Sequence, residues 1–84
     1  MSRDDIAAAI ARTIRSAVAE SGNEAPELTP QTRIDRTLGL DSLGWASVVV
    51  QLEEELGFDP FLRGLSRELR TLDDLVDLYA EAAA

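Results

Sequence analysis

The sequence predicts an all-α fold: a small helical bundle of three main helices and one short helix, with a long loop between helices one and two. Apolar residues recur at helical spacing in three segments, and no stretch alternates as a β-strand would. A chain of 84 residues with 45% hydrophobic content suffices for one core. We therefore expect residues 1–84 to form a single domain, stabilised by helix packing because the chain has no cysteine or histidine.

Helix one is predicted to begin at Ser2 and to end near Gly22. Ser2 and Asp5 have the spacing of a capping box, in which each side chain accepts a hydrogen bond from the other residue's backbone N–H. A β-branched apolar residue then stands at every fourth position: Ile6, Ile10, Ile14 and Val18. This spacing is typical of an amphipathic helix with one buried face.

Residues 23–41 are predicted to form a long loop. The segment contains Pro26, Pro30 and Gly39, which disfavour helix, and few apolar residues. Three of these are expected to anchor the loop on the core: Leu28, Ile34 and Leu38. A loop of this length either has a function or serves as a spacer between helices that are antiparallel or cross at an angle.

Helix two is predicted to begin at Ser42 and to stop at Gly57. Its apolar residues follow helical spacing: Trp45, Val48, Val49, Leu52 and Leu56. Beyond Gly57, Pro60 suits the first position of a short helix that Gly64 keeps brief. Three apolar residues of this short helix are expected to cover the core: Phe61, Leu62 and Leu65.

The last helix is predicted from a second capping-box pattern, formed by Thr71 and Asp74. Four apolar residues share one face of it: Leu72, Leu75, Val76 and Tyr79.

The composition excludes several functions. A net charge of −8 and a pI near 4.3 repel a phosphate backbone, so we expect no nucleic-acid partner. No apolar run is long enough to span a membrane, and we expect a cytoplasmic monomer. Without histidine, cysteine or lysine, the chain lacks the usual general base and nucleophiles, so we expect no enzyme, no catalytic residue and no metal site.

Ser42 is the residue that most needs an explanation. Ser42 or Asp41 could simply cap helix two. A nucleophile elbow requires glycine where Leu40 stands, and it also requires a histidine. A third explanation is covalent attachment of a phosphate-bearing group by another enzyme, because the free amides and the dipole of a helix N-terminus favour an anion.

The stretch from Leu38 to Phe58 resembles the acyl carrier proteins and the related peptidyl carriers, whose signature is an Asp-Ser-Leu triplet at the start of helix two. Here the triplet is Asp41, Ser42 and Leu43, and the acidic run before Gly57 follows at the family's spacing. Length, acidity and helix order extend the resemblance over nearly the whole chain.

The resemblance implies that a phosphopantetheinyl transferase uses coenzyme A to attach 4'-phosphopantetheine to Ser42. The thiol of that cofactor then holds acyl or aminoacyl groups as thioesters for partner enzymes: a loading ligase or transferase and condensing or tailoring enzymes. The chain would be a free-standing shuttle in this reading, although a piece of a larger synthase would look much the same.

Helical spacing separates an outward face of helix two from its buried face. We assign Leu43, Ala46 and Val50 to the outward face, which in the family docks with partner enzymes. Three acidic residues are the candidates for electrostatic steering of those partners: Asp41, Glu53 and Glu54.

The sequence departs from fatty-acid carriers just after the signature, where Gly44 and Ser47 replace the family's usual acidic residues. Together with Trp45, this favours a specialised partner in a polyketide, nonribosomal peptide or fatty-acid-derived biosynthetic pathway. Two other functions remain open: an acidic interaction module without a cofactor, and a small carboxylate enzyme that uses Asp41 with Glu53.

Overall fold

A computed structural model describes residues 2–63 and 68–83 of the chain. In these ranges it contains three α-helices: α1 over Arg3–Glu20, α2 over Ser42–Leu56 and α3 over Leu72–Ala83. Two short 3-10 helices lie in the connections, over Arg36–Leu38 and Pro60–Arg63. No strand forms within the described ranges, where Arg33 and Thr71 make one isolated bridge. The predicted all-α bundle is confirmed.

The predicted capping box begins α1. The Asp5 backbone N–H donates to Ser2 Oγ at 3.1 Å, and the Ser2 N–H donates to the Asp5 carboxylate at 3.2 Å. The predicted apolar face is buried, with each member at most 1% exposed: Ile6, Ile10, Ile14 and Val18. The helix ends at Glu20, and Gly22 follows with a positive φ of 81° that favours glycine.

The long loop between α1 and α2 is anchored on the core. Leu38 is buried, and Leu28 and Ile34 pack partly buried against the core, as predicted. Leu40, which the pattern did not single out, is also buried, with 4% exposure.

The same loop also bonds to the start of α3. The backbone N–H of Leu72 donates to the Thr32 carbonyl at 2.8 Å, and that of Asp73 to the Pro30 carbonyl at 2.9 Å. These bonds satisfy two amides that a helix N-terminus otherwise leaves without partners.

Helix α2 has the predicted bounds. It begins at Ser42 and ends at Leu56, where Gly57 adopts the left-handed conformation that commonly terminates helices. Val48 and Leu52 are buried, and an ion pair between Arg12 and Glu55 links α1 to α2.

The short helix after α2 is a 3-10 helix that begins at Pro60. Phe61 packs against the core as predicted, with its ring centroid 6.1 Å from that of Tyr79. The prediction for Leu62 was wrong, because its side chain is 82% exposed. Neighbouring residues of a 3-10 helix point in directions about 120° apart, so Phe61 and Leu62 cannot both face the core. The predicted roles of Gly64 and Leu65 lie outside the described residues.

The second capping box is present at the start of α3. The Thr71 N–H donates to the Asp74 carboxylate at 3.1 Å, and the Asp74 N–H donates to Thr71 Oγ1 at 3.3 Å. The four predicted apolar residues of α3 are buried: Leu72, Leu75, Val76 and Tyr79. In the described part of the chain, no helix is long and apolar enough to cross a membrane.

Candidate functional site

Ser42 is the first residue of α2, and its side chain is exposed. Asp41 is the N-cap, since its carboxylate accepts a hydrogen bond from the Gly44 backbone N–H at 2.8 Å. Among the described residues, the Ser42 hydroxyl has no hydrogen-bond partner. The sequence left open which of the two residues caps the helix. Asp41 does so, and capping therefore does not explain Ser42.

The first turn of α2 offers two backbone amides beside that hydroxyl. Within the described ranges, no protein group accepts a hydrogen bond from the N–H of Ser42 or of Leu43. Free amides and the helix dipole together stabilise an anion at such an end by about 0.3 to 1 kcal/mol. The exposed hydroxyl and these amides fit a phosphate ester on Ser42.

An open depression surrounds Ser42 on the protein surface. It is lined by Asp35, Gly39, Leu40, Asp41, Ser42 and Trp45. Leu40 stands directly before the cap and Trp45 at the fourth helical position, which are the two positions of a hydrophobic staple. Sequence reasoning missed Leu40 as part of the site, although its place before the cap was a usable signal.

Asp35 adds a second carboxylate to this depression. It accepts hydrogen bonds from the Thr37 N–H at 2.9 Å and from Thr37 Oγ1 at 2.5 Å, and it pairs with Arg33 at 3.1 Å. The bonds from Thr37 and, to a smaller extent, the charge of Arg33 lower the pKa of Asp35 below its usual value. Asp35 is therefore ionised at neutral pH in the depression around Ser42.

The residues assigned to the outward face of α2 are exposed. Leu43 is 81% exposed, Val50 is 53% exposed, and the Ala46 side chain is also exposed. We call Leu43, Ala46 and Val50 the exposed stripe. Their role in partner recognition stays a prediction, since exposure alone names no partner.

Two of the three consecutive glutamates near the end of α2 extend the exposed stripe. Glu53 and Glu54 are exposed, at the helical spacing that continues from Val50. Glu55 instead pairs with Arg12 on α1. Among the described residues, Glu53 and Glu54 have no ion-pair partner, so their charges face solvent.

An apolar cavity of about 310 Å³ lies on the other side of α2, between that helix, the loop and α3. It is lined by Ile34, Trp45, Val48, Val49, Leu52, Phe61, Leu69, Leu75 and Tyr79. Trp45 also lines the depression around Ser42, so one indole ring borders both spaces. The sequence did not predict this cavity, because its lining comes from segments that are far apart in the chain.

The structure does not bring together the carboxylates of the small-enzyme hypothesis. Asp41 precedes α2 and Glu53 lies twelve residues later on it, about 18 Å away at the rise of an α-helix. In the described part of the chain, no group of histidine, cysteine or acidic side chains has the geometry of a metal site. The arrangement around Ser42 presents a hydroxyl to which, among the described residues, no carboxylate is hydrogen-bonded.

These features define a small helical bundle that presents an exposed serine hydroxyl at the start of its second helix. The family model described as the phosphopantetheine attachment site matches residues 12–79. The chain therefore belongs to the phosphopantetheine-attachment family, whose domains hold covalently bound 4'-phosphopantetheine and are generally non-catalytic carriers. No curated protein and no solved structure matches the chain.

Tyr79 lies at the wall of the apolar cavity, where its ring contacts Phe58 and Phe61. Burial, with smaller effects from Asp59 and Glu53, raises the pKa of Tyr79 to about 12. Because the pKa of Tyr79 is higher in the folded protein than in the unfolded protein, the folded state favours the neutral phenol. Its contribution to stability is fully present below pH 10.0, the unfolded pKa, and is lost as pH rises through 12.

We expect the ultraviolet absorbance of the single tyrosine to titrate near pH 12 in the folded protein and near pH 10 after unfolding in urea. Denaturation midpoints should fall over the same interval. Tyr79→Phe, which keeps the ring, should remove most of that fall. Ionisation of the folded protein near pH 10 would contradict the prediction.

Proposed function

We propose that the chain is an acyl carrier protein and that Ser42 carries its 4'-phosphopantetheine. The observation that carries the proposal is the exposed Ser42 hydroxyl, which stands at the first position of α2 while Asp41 caps the helix. The family match supports the cofactor, and the geometry supports Ser42 as the residue that bears it. Residues 1–84 would act as one free-standing carrier domain in the cytoplasm.

Modification of Ser42 needs a partner enzyme, because no base among the described residues is hydrogen-bonded to the Ser42 hydroxyl. In the proposed reaction, Ser42 Oγ attacks the phosphorus that bears the pantetheine arm of coenzyme A. The bond from that phosphorus to adenosine 3',5'-bisphosphate breaks, and a base of the transferase takes the serine proton. The backbone amides of Ser42 and Leu43 stabilise the resulting phosphodiester. When bound, the group supplies a thiol that holds acyl groups as thioesters.

Partner enzymes are proposed to dock on α2. The exposed stripe supplies apolar contact that begins next to Ser42, and negative charge flanks the stripe at both ends, from Asp41 at the start of α2 and from Glu53 and Glu54 near its end. The transferase, a loading enzyme and condensing or tailoring enzymes would each present a basic surface to this face. The carrier itself would act as a monomer.

The apolar cavity favours an acyl cargo over an aminoacyl cargo. All nine of its lining residues are apolar or aromatic, so a charged ammonium would lose its hydration there without gaining a carboxylate partner. A cavity of about 150 Å³ already accommodates benzene. The cavity described here is about 310 Å³, which is enough for a short alkyl chain.

A specialised biosynthetic pathway, for polyketides, nonribosomal peptides or fatty-acid derivatives, is the proposed setting. Gly44 and Ser47 leave the first turns of α2 without the acidic residues usual in fatty-acid carriers. Ser47 is instead bonded within the helix, accepting from Gln51 Nε2 at 2.9 Å. A partner that depends on acidic groups at those two positions would bind this carrier weakly.

We expect wild-type protein, incubated with a broad-specificity phosphopantetheinyl transferase, magnesium and coenzyme A, to gain one phosphopantetheine in an intact mass spectrum. Ser42→Ala should gain none, because it lacks the attacking hydroxyl. Ser16→Ala, at an exposed serine of α1, is the matched control and should be modified like wild type. Modification of Ser42→Ala would refute the site. No gain on folded, unmodified wild type would favour the interaction module instead.

Reversing both charges with Glu53→Lys and Glu54→Lys should lower the transferase kcat/KM by about tenfold or more at low salt, because steering raises association rates by 10 to 10³. The circular dichroism spectrum should change little, since both side chains are exposed. Asp4→Lys with Glu27→Lys makes the same change in net charge at exposed positions outside α2. If both double variants lose rate equally, net charge and not position is responsible.

Loading the carrier with a hexanoyl group should change the fluorescence of Trp45, the single tryptophan, because that indole borders the cavity. An alanyl group should leave the emission close to that of the unloaded carrier. Val49→Phe places a ring at the cavity wall and should suppress the hexanoyl effect while Ser42 is still modified. Equal emission with both cargoes would contradict an apolar cargo site.

A further inference from the structure

The first turn of α2 leaves no room for a side chain at Gly44. A Cβ atom at this position would lie 2.9 Å from Leu40 Cδ2, and 3.4 Å from both Leu40 Cβ and Asp41 Oδ1. Carbon atoms in favourable contact are about 3.5 to 4.0 Å apart. The missing side chain of Gly44 therefore allows Leu40 to lie directly on the first turn.

Leu40 cannot easily move away to make that room. It is only 4% exposed and belongs to the core cluster that also contains Leu38 and Val48. Closely packed cores respond to an inserted carbon with shifted side chains or a shifted backbone. A Cβ at Gly44 therefore requires the Leu40 side chain to shift, and residues 40 and 41 immediately precede Ser42.

Gly44 receives two contacts from those residues. The Leu40 side chain packs against the α-carbon of Gly44, and the Asp41 carboxylate accepts a hydrogen bond from the Gly44 backbone N–H at 2.8 Å. Together they fix the direction in which the loop enters α2. Glycine is a poor helix former compared with alanine, so helix stability does not account for its presence.

We propose that Gly44 is a positioning residue for the modification of Ser42. Because Gly44 has no side chain, Leu40 and Asp41 can pack against the first turn of α2 and fix its position. This packing holds the Ser42 hydroxyl in the position at which the transferase binds it. The inference rests on the proposed attachment of phosphopantetheine to Ser42. Gly44 acts through Leu40 and not through contact with the reacting atoms.

The test measures transferase kinetics on Gly44→Ala at a temperature far below unfolding. We expect kcat to fall by about tenfold to a hundredfold, as misplacement of a reacting group by about 1 Å can cause. KM should change little, because the exposed stripe that docks the transferase is intact. Adding Leu40→Val, which removes both δ-methyl groups, should restore most of the rate. A purely structural role would lower the melting temperature without this loss of kcat.

Two controls complete the experiment. Ser16→Ala introduces alanine at an exposed position of α1, away from Leu40, and should leave kcat unchanged. Leu40→Val alone removes the packing of Leu40 on Gly44 and should lower kcat, although by less than Gly44→Ala does, because it leaves a gap instead of a clash. A wild-type kcat for Gly44→Ala would overturn the proposal. So would a loss that Leu40→Val does not relieve, because that result points to a clash with the transferase itself. If the proposed function itself is wrong, the result differs from both of these outcomes, because the wild-type protein would then not be modified at Ser42.

Discussion

The other elements depend on the burial of one face of α1. Its four β-branched members are each at most 1% exposed: Ile6, Ile10, Ile14 and Val18. Helix α2 adds Val48 and Leu52 to the same cluster, and α3 adds Tyr79. Apolar burial stabilises by about 25 cal/mol per Å². With no disulfide available in the sequence, this shared core is what holds the three helices in one arrangement.

The core fixes the position of Ser42, because the loop that precedes Ser42 is anchored on the core. Leu38 and Leu40 belong to the buried cluster, and hydrogen bonds from Leu72 and Asp73 tie the middle of the loop to α3. A long irregular segment would otherwise reach α2 in many conformations. Because the loop is anchored both on the core and on α3, it holds Asp41 and Ser42 in one position. The loop is therefore more than a spacer.

The helices and their ends could be predicted because each carries a local signal. Regular spacing identified the buried faces, and Ser2, Thr71 and Gly57 marked their boundaries. Contacts between distant segments carry no such signal. Neither the exposure of Leu62 nor the contact of Leu40 with Gly44 follows from periodicity, because both depend on how the loop and the 3-10 helix pack.

The residues of the candidate site also form two groups: those that a local sequence pattern indicates and those that only tertiary packing brings together. The serine, its cap and the outward face lie within or next to one helix, so helical spacing placed them relative to one another, whereas the resemblance to carrier proteins singled out Ser42 and the outward face. The apolar cavity and the second carboxylate at Asp35 come from other parts of the chain. Sequence reasoning therefore proposed the residue to which a cofactor attaches but not what surrounds that residue. The surroundings depend on tertiary packing, which a single sequence does not reveal.

Helix α2 keeps its buried contacts and its exposed side chains on opposite faces, which leaves one face of so small a protein open to other molecules. Its inner face is held by α1 and the core, whereas the exposed stripe makes no contact on which the fold depends. A partner can therefore bind the outer face without displacing core residues. In a family whose domains are generally non-catalytic carriers, this arrangement leaves the exposed hydroxyl, the free amides of a helix end and the outer face of α2 accessible at the same time.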